Sequence, residues 1–196
     1  VMHTGTGRIT KLLMRPMSLY ESGESNGCVS LKDIIEGREI SGVSSLNFDS
    51  LINAMIRGGW PETLNISGNN KYLIAKDYVK SLLNEEIKTI DGTQRDSSKM
   101  RAVLKSISRN ISTNVNKTTI LDDVKNEFFN ELSRPTLDDY INTLEKLYIL
   151  EYIPATNLNL RSKTPLRVTP KLELVDPSLV IAALNLKRDD LINDLK

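Results

Sequence analysis

Apolar residues recur at helical spacing through most of this chain, and the breaks between the stripes mark out its elements. Phe48, Leu51, Ile52, Met55 and Ile56 fall on one helical face, which Gly58-Gly59 ends. Leu73, Val79, Leu82, Leu83 and Ile87 predict a longer helix over residues 72–90, closed by Asp91-Gly92. The clearest periodicity follows. Met100, Val103, Leu104, Ile107 and Ile111 form one stripe. Ile120, Leu121, Val124, Phe128 and Leu132 form a second, with Thr118 or Thr119 as the expected N-cap. Leu137, Tyr140, Ile141, Leu144, Leu147 and Tyr148 form a third, with Thr136 as the expected cap. Asp138 and Asp139 then occupy its first turn, where the helix dipole favours anions.

Extended stretches are shorter. Ile9 to Leu19, interrupted by Pro16, reads as a strand leaving a turn at Gly5 and Gly7, and Leu31 to Ile35 reads as a short helix beyond a polar Ser/Gly/Glu segment. Ile149 to Ile153 predicts a strand, a polar and basic loop spans Asn157 to Thr164, and Leu166-Arg167-Val168 predicts the returning strand. Three short helices followed by a β-hairpin is the winged-helix order. Lys171 to Val175 predicts a further strand, and Asp176-Pro177-Ser178 caps a last helix carrying Leu179, Ile181 and Leu184. The expected fold is therefore mainly α with small β elements (α+β), a helical region followed by a winged-helix-like domain.

Charge narrows the function classes. The 26 basic and 25 acidic residues nearly cancel, so any attraction to nucleic acid must come from local patches. Apolar runs fall far short of the ~20 residues of a membrane span, and no signal-peptide pattern is present, which predicts a cytoplasmic protein without a membrane partner. Cys28 and His3 each stand alone of their type, too few for a disulfide or a four-ligand zinc site. No metal is expected. Glu21, Glu24, Glu85 and Glu86 read as solvated carboxylates rather than an acid–base pair. The sequence Gly-x-x-x-x-Gly-Lys-Ser/Thr does not occur, so the usual phosphate cradle cannot be built from these residues.

Two basic patches lack acids. One holds Lys99, Arg101, Lys105, Arg109 and Lys117, and the other Arg161, Lys163, Arg167 and Lys171. Either can hold phosphates. The third helix, which would enter a major groove, carries Asp138, Asp139 and Glu145 against Lys146, so sequence-specific readout through it is not expected. Non-specific nucleic-acid contact and a DNA-binding, transcription-type module both remain open on these residues.

The segment Met14-Arg15-Pro16-Met17-Ser18-Leu19-Tyr20-Glu21-Ser22-Gly23-Glu24-Ser25 resembles a large group of uncharacterised bacterial and archaeal AAA+-type ATPases. Arg57-Gly58-Gly59-Trp60-Pro61-Glu62, Arg109 to Thr113, Arg161-Ser162-Lys163 and Pro170-Lys171 through Asp176-Pro177-Ser178 continue the resemblance in collinear order. It implies a P-loop domain upstream and a further C-terminal domain downstream, so the chain is expected to be a fragment. Residues 1–66 would close the ATPase core and start the lid, 67–94 form a lid or linker helix, 95–172 a winged helix, and 173–196 open the following domain. ATP and Mg2+ would be bound in the full-length protein. The implied role is nucleotide sensing or regulation, with the ATPase core and C-terminal domain of the same chain, or self-association, as partners. By the same analogy Arg8 would act as an arginine finger for a neighbouring subunit. Gly59-Trp60-Pro61 would form a turn beside the adenine, glycine admitting the flat base and proline offering it an apolar edge.

Overall fold

Helix-starting side chains decide where the elements begin. The computed structural model describes residues 10, 12–128, 131–154 and 170–193. Leu31–Ile35 forms a short helix, α1, with no buried residue. Asn47 caps α2, Phe48–Arg57, by accepting from the Ser50 N–H at 2.8 Å, and Gly58 ends it at φ 73°. Of its apolar stripe Ile52 is buried, whereas Phe48 and Leu51 face outward.

The expected long helix exists, but not as uniform α-helix. A 3-10 turn over Gly68–Tyr72 leads into α3, Leu73–Ser81, then a π-helical turn over Leu82–Glu86, then α4, Ile87–Thr89. The wider turn keeps the consecutive Leu82 and Leu83 inside together with Ile87, all with no exposed surface.

Asp96 caps α5, Ser97–Arg109, through the N–H groups of Ser98 and Lys99. The next two caps differ from expectation. Asn116, not Thr118 or Thr119, accepts the Thr119 N–H ahead of α6, Lys117–Phe128. Ser133, not Thr136, caps α7, Arg134–Lys146, leaving Pro135 in the first turn, where no N–H is missed. Strand β1, Leu150–Ile153, pairs antiparallel with β2, Lys171–Leu174, in the register Leu150↔Leu174. The strand expected at 166–168 lies outside the described residues. The partner of β1 is thus the stretch expected to open a separate unit. Asp176 caps α8, Pro177–Leu184, which ends at Asn185 in the left-handed region, and α9 follows over Arg188–Asn193.

The chain is mainly helical with a small two-stranded sheet. Its core is built around α5. Met100, Val103, Leu104 and Ile107 meet Leu82, Leu83 and Ile87 on one side, Ile120, Val124, Leu137, Ile141 and Leu144 on another, and Leu179 and Ala183 of α8 on a third. One hydrophobic cluster therefore runs from Val79 to Ala183, across the boundaries expected at 94/95 and 172/173. Among the described residues no helix is long and apolar enough to cross a membrane.

Ile107 sits at the centre of this cluster with no exposed surface. Ile107→Ala should cost roughly 2–5 kcal/mol in urea denaturation, whereas the same truncation at the outward-facing Arg101 should stay within about 0.5 kcal/mol.

Candidate functional site

Three separate stretches meet at one junction. The α2 terminus brings Gly58 and Gly59, the strap over residues 14–25 crosses them, and the corner between β2 and α8 supplies Asp176 and Ser178. Asp176 is 2% exposed. Its carboxylate accepts from the Gly59 N–H at 2.7 Å, the Ser178 N–H at 2.9 Å and the Ser178 hydroxyl at 2.5 Å. The Gly59 carbonyl accepts from the Met17 N–H at 2.8 Å, so the strap is tied to the same residue that Asp176 holds. Trp60 donates its indole N–H to the Ser178 hydroxyl at 2.9 Å and tilts against Tyr78 with ring centroids 4.9 Å apart. On the outer side Arg57 grips Glu24 with both guanidinium ends, at 2.7 and 3.0 Å, and donates to the Gly58 carbonyl at 3.1 Å.

This geometry explains the two glycines. A Cβ on Gly58 would lie 2.4 Å from Ser178 Oγ and 2.5 Å from Asp176 Oδ1, and Gly58 also has φ 73°. A Cβ on Gly59 would lie 2.5 Å from the Met17 carbonyl oxygen and 2.7 Å from its nitrogen. The close approach is made by the Ser178 and Asp176 side chains at Gly58 and by the Met17 backbone at Gly59. The expectation of an adenine beside Gly59, Trp60 and Pro61 therefore finds both polar groups of Gly59 occupied and Trp60 hydrogen-bonded, with Pro61 exposed at the start of a 3-10 turn. A cleft of about 250 Å³ does adjoin the junction, lined by Met17, Leu19, Leu51, Met55, Gly58 and Pro177. It opens on the glycine side rather than beside Pro61.

A second cluster was not legible as a site. The Arg95 guanidinium, with its side chain 2% exposed, uses all five N–H donors. Nε and Nη2 donate to Asp139 at 2.8 and 2.9 Å, Nη1 and Nη2 to Asp91 at 2.8 Å each, and Nη1 to the Ile87 carbonyl at 3.0 Å. It fastens the end of α4 to α7. Asp138 is likewise taken, with Lys117 Nζ 2.6 Å from its Oδ1. With Ser133 as the cap, Asp138 and Asp139 fall in the second turn of α7 rather than the expected first, and there they pair with Lys117 and Arg95.

The remaining expected residues separate. Arg101, Lys105 and Arg109 share the outer strip of α5, while Lys99 turns to a groove between α6 and α7 lined by Leu121, Lys125 and Thr136. Arg8, Arg161, Lys163 and Arg167 lie outside the described residues. Among the described residues no group of His, Cys, Asp or Glu side chains is placed to hold a metal ion.

A family described as a domain of unknown function, DUF8612, matches residues 48–190. The chain belongs to the DUF8612 family. No curated protein and no solved structure matches it. The family match runs from the start of α2 into α9 and begins after the strap that Met17 ties to Gly59.

Two outcomes follow from these clusters. Asp176→Ala strands the Gly59 and Ser178 N–H groups and should cost roughly 2–4 kcal/mol, with limited proteolysis cutting the strap faster than in the unaltered chain. The Arg95 hydrogen bonds hold the Asp91 carboxyl well below the usual carboxylate range. A depressed folded-state value stabilises the fold above the ordinary pKa of about 4 and ceases to do so as pH falls toward the folded value. Denaturant midpoints of the unaltered chain and Asp91→Asn should accordingly differ at neutral pH and converge on acidification.

Proposed function

We propose that this chain is the lid and winged-helix portion of a AAA+-type ATPase, and that it senses or regulates nucleotide state rather than hydrolysing ATP. The observation that carries this reading is the junction at Asp176. The strap, which on this reading arrives from the ATPase core, is hydrogen-bonded through Gly59 to the corner between β2 and α8. Movement of the strap is then passed to the α5–α8 body by short polar contacts. A ligand-dependent core can bias such a body only through contacts that differ between its states. α5, α6 and α7 followed by the β1–β2 pair follow the winged-helix order, which supports that part of the reading.

Surface chemistry supports it too. Among the described residues the exposed large apolar side chains gather between Leu12 and Leu73, with Tyr148 and Ile153 the exceptions. α1 presents Leu31, Ile34 and Ile35 on one face, 71%, 53% and 78% exposed. Its charges are satisfied among themselves, Arg38 bonding Asp33 at 2.6 Å and also pairing with Glu36. A neutral apolar face of this kind suits burial against a neighbouring domain. The phosphate cradle and Mg2+ ligands belong, on this reading, to that domain, and no catalytic step is assigned to the residues of this chain.

A DNA-binding, transcription-type module is the second reading, favoured by the basic strip of α5. Saturable binding to one duplex sequence alone would select it. The leading reading is tested by hydrogen exchange on the protein carrying its nucleotide-binding core. Adding ATP should change exchange in residues 14–25 and in α8 together, and Gly59→Ala should confine the change to the strap. Exchange unaltered by ATP in both segments would overturn the reading.

A further inference from the structure

Beyond the Asp176 junction, four helices meet around a small cavity of about 170 Å³, with Ser178 between the two. Ile56 of α2, Leu73 of α3, and Ile181 and Ala182 of α8 make most of its wall. The turn from α8 into α9 completes it. Asn185 ends α8 in the left-handed region at φ 54°, which asparagine tolerates, and the Leu186 N–H returns to the Ile181 carbonyl at 3.0 Å. That reversal brings Leu186 and Lys187 to the same cavity. Its polar groups are unmatched. Among the described residues the Asn53 amide makes no hydrogen bond, and the Lys76 and Lys187 ammonium groups make no ion pair, while all three residues line the cavity. The acids beside it are already engaged. Asp49 pairs with Arg188 at 2.7 Å, and Asp190 accepts the Lys187 N–H at 2.7 Å.

We propose that this cavity binds a small free monocarboxylate, with its apolar body among Ile56, Leu73, Ile181 and Leu186 and its carboxylate at Lys76, Lys187 and the Asn53 amide. An apolar hollow with a few convergent polar groups is the ordinary form of a small-molecule site. Size limits what enters. Sites for cofactors and drug-sized ligands run to about 300–1,000 Å³, which excludes a nucleotide here. An apolar cavity of about 150 Å³, by contrast, takes a single benzene ring. Charge then selects among molecules of that size. Two unpaired ammonium groups beside an apolar wall favour an anion over a neutral or cationic ring, and the amide NH2 can donate to the same anion. Two lysines and one amide suit the two oxygens of a carboxylate better than the three of a phosphate group. The cavity meets the Asp176 junction through Ser178, has no catalytic step assigned to it, and does not depend on the ATPase reading.

Benzoate, one ring bearing one carboxylate, is the probe, and backbone amide shifts of the whole chain in heteronuclear NMR are the readout. Titration should shift Asn53, Ala75, Ala182 and Leu186 together and saturably. Benzyl alcohol, of similar size without the charge, should bind more weakly, and naphthoate, with a second ring, should not bind. Lys76→Gln should weaken benzoate by about two- to fivefold, the range of an exposed ion pair, and leave benzyl alcohol unaltered. Ala182→Leu fills the cavity and should abolish binding of both. Because Ala182 also packs against the core, Lys76→Gln, at an exposed position, carries the test if that variant does not fold. Absence of saturable shifts, shifts gathered elsewhere, or equal affinity for benzyl alcohol would overturn the proposal. So would undiminished benzoate binding in Lys76→Gln. Tighter binding of an acidic peptide with one apolar residue than of benzoate would also overturn it, in favour of a protein partner.

Discussion

The Asp176 carboxylate is a buried anion satisfied by N–H and O–H donors from two places in the chain, and much of the architecture follows from keeping it so. A charge taken out of water is tolerable only when its lone pairs are met by hydrogen bonds. Ser178 meets part of that demand locally, as the first turn of α8 would in any protein with this cap. The Gly59 N–H is 117 residues away in sequence and can reach only if α2 stops at Gly58 and turns back beneath α8. That requirement excludes a side chain at Gly58, and the Met17 backbone excludes one at Gly59. It also brings the Gly59 carbonyl to Met17, so the strap is placed by the same residue.

α5 is the second organising element, and its two faces do different work. The inner face binds α4, α6, α7 and α8 into one core, and burying each of its large side chains is worth about 1.5–3 kcal/mol. Arg95, just ahead of it, supplements that packing with directional bonds. A buried guanidinium with one donor unmet would be costly, so α4 and α7 are held in one relative position by the need to satisfy all five. The outer face of α5 carries Arg101, Lys105 and Arg109.

On the proposed reading this body has a contact region for a neighbouring domain. The apolar side chains between Leu12 and Leu73 gather on the strap and α1–α3 part of the chain, where a neighbouring domain suits the proposed regulatory role.

Much of this was legible from residues four apart. The stripes of α5 and α7 appear in the sequence because burial on one face is a local, periodic property, and the Asp176-Pro177-Ser178 cap is a short-range signal. Caps at Asn116 and Ser133 were displaced by a few residues because several Ser, Thr and Asn side chains nearby could each serve, and only backbone geometry chooses among them. The glycines at 58 and 59 announced a close approach but not its object. A base and a peptide ask the same thing of a missing Cβ, and Met17 decides between them only once the chain has folded. Asp139 likewise read as a helix-terminal anion, and Arg95, 44 residues away, turned it into a clamp. The sequence alone determined the helices, their buried faces and the near-neutral charge, since these depend on near neighbours and on composition. Tertiary structure decided which charges remain on the surface and which glycine contacts are protein, because each depends on a partner that local spacing cannot name.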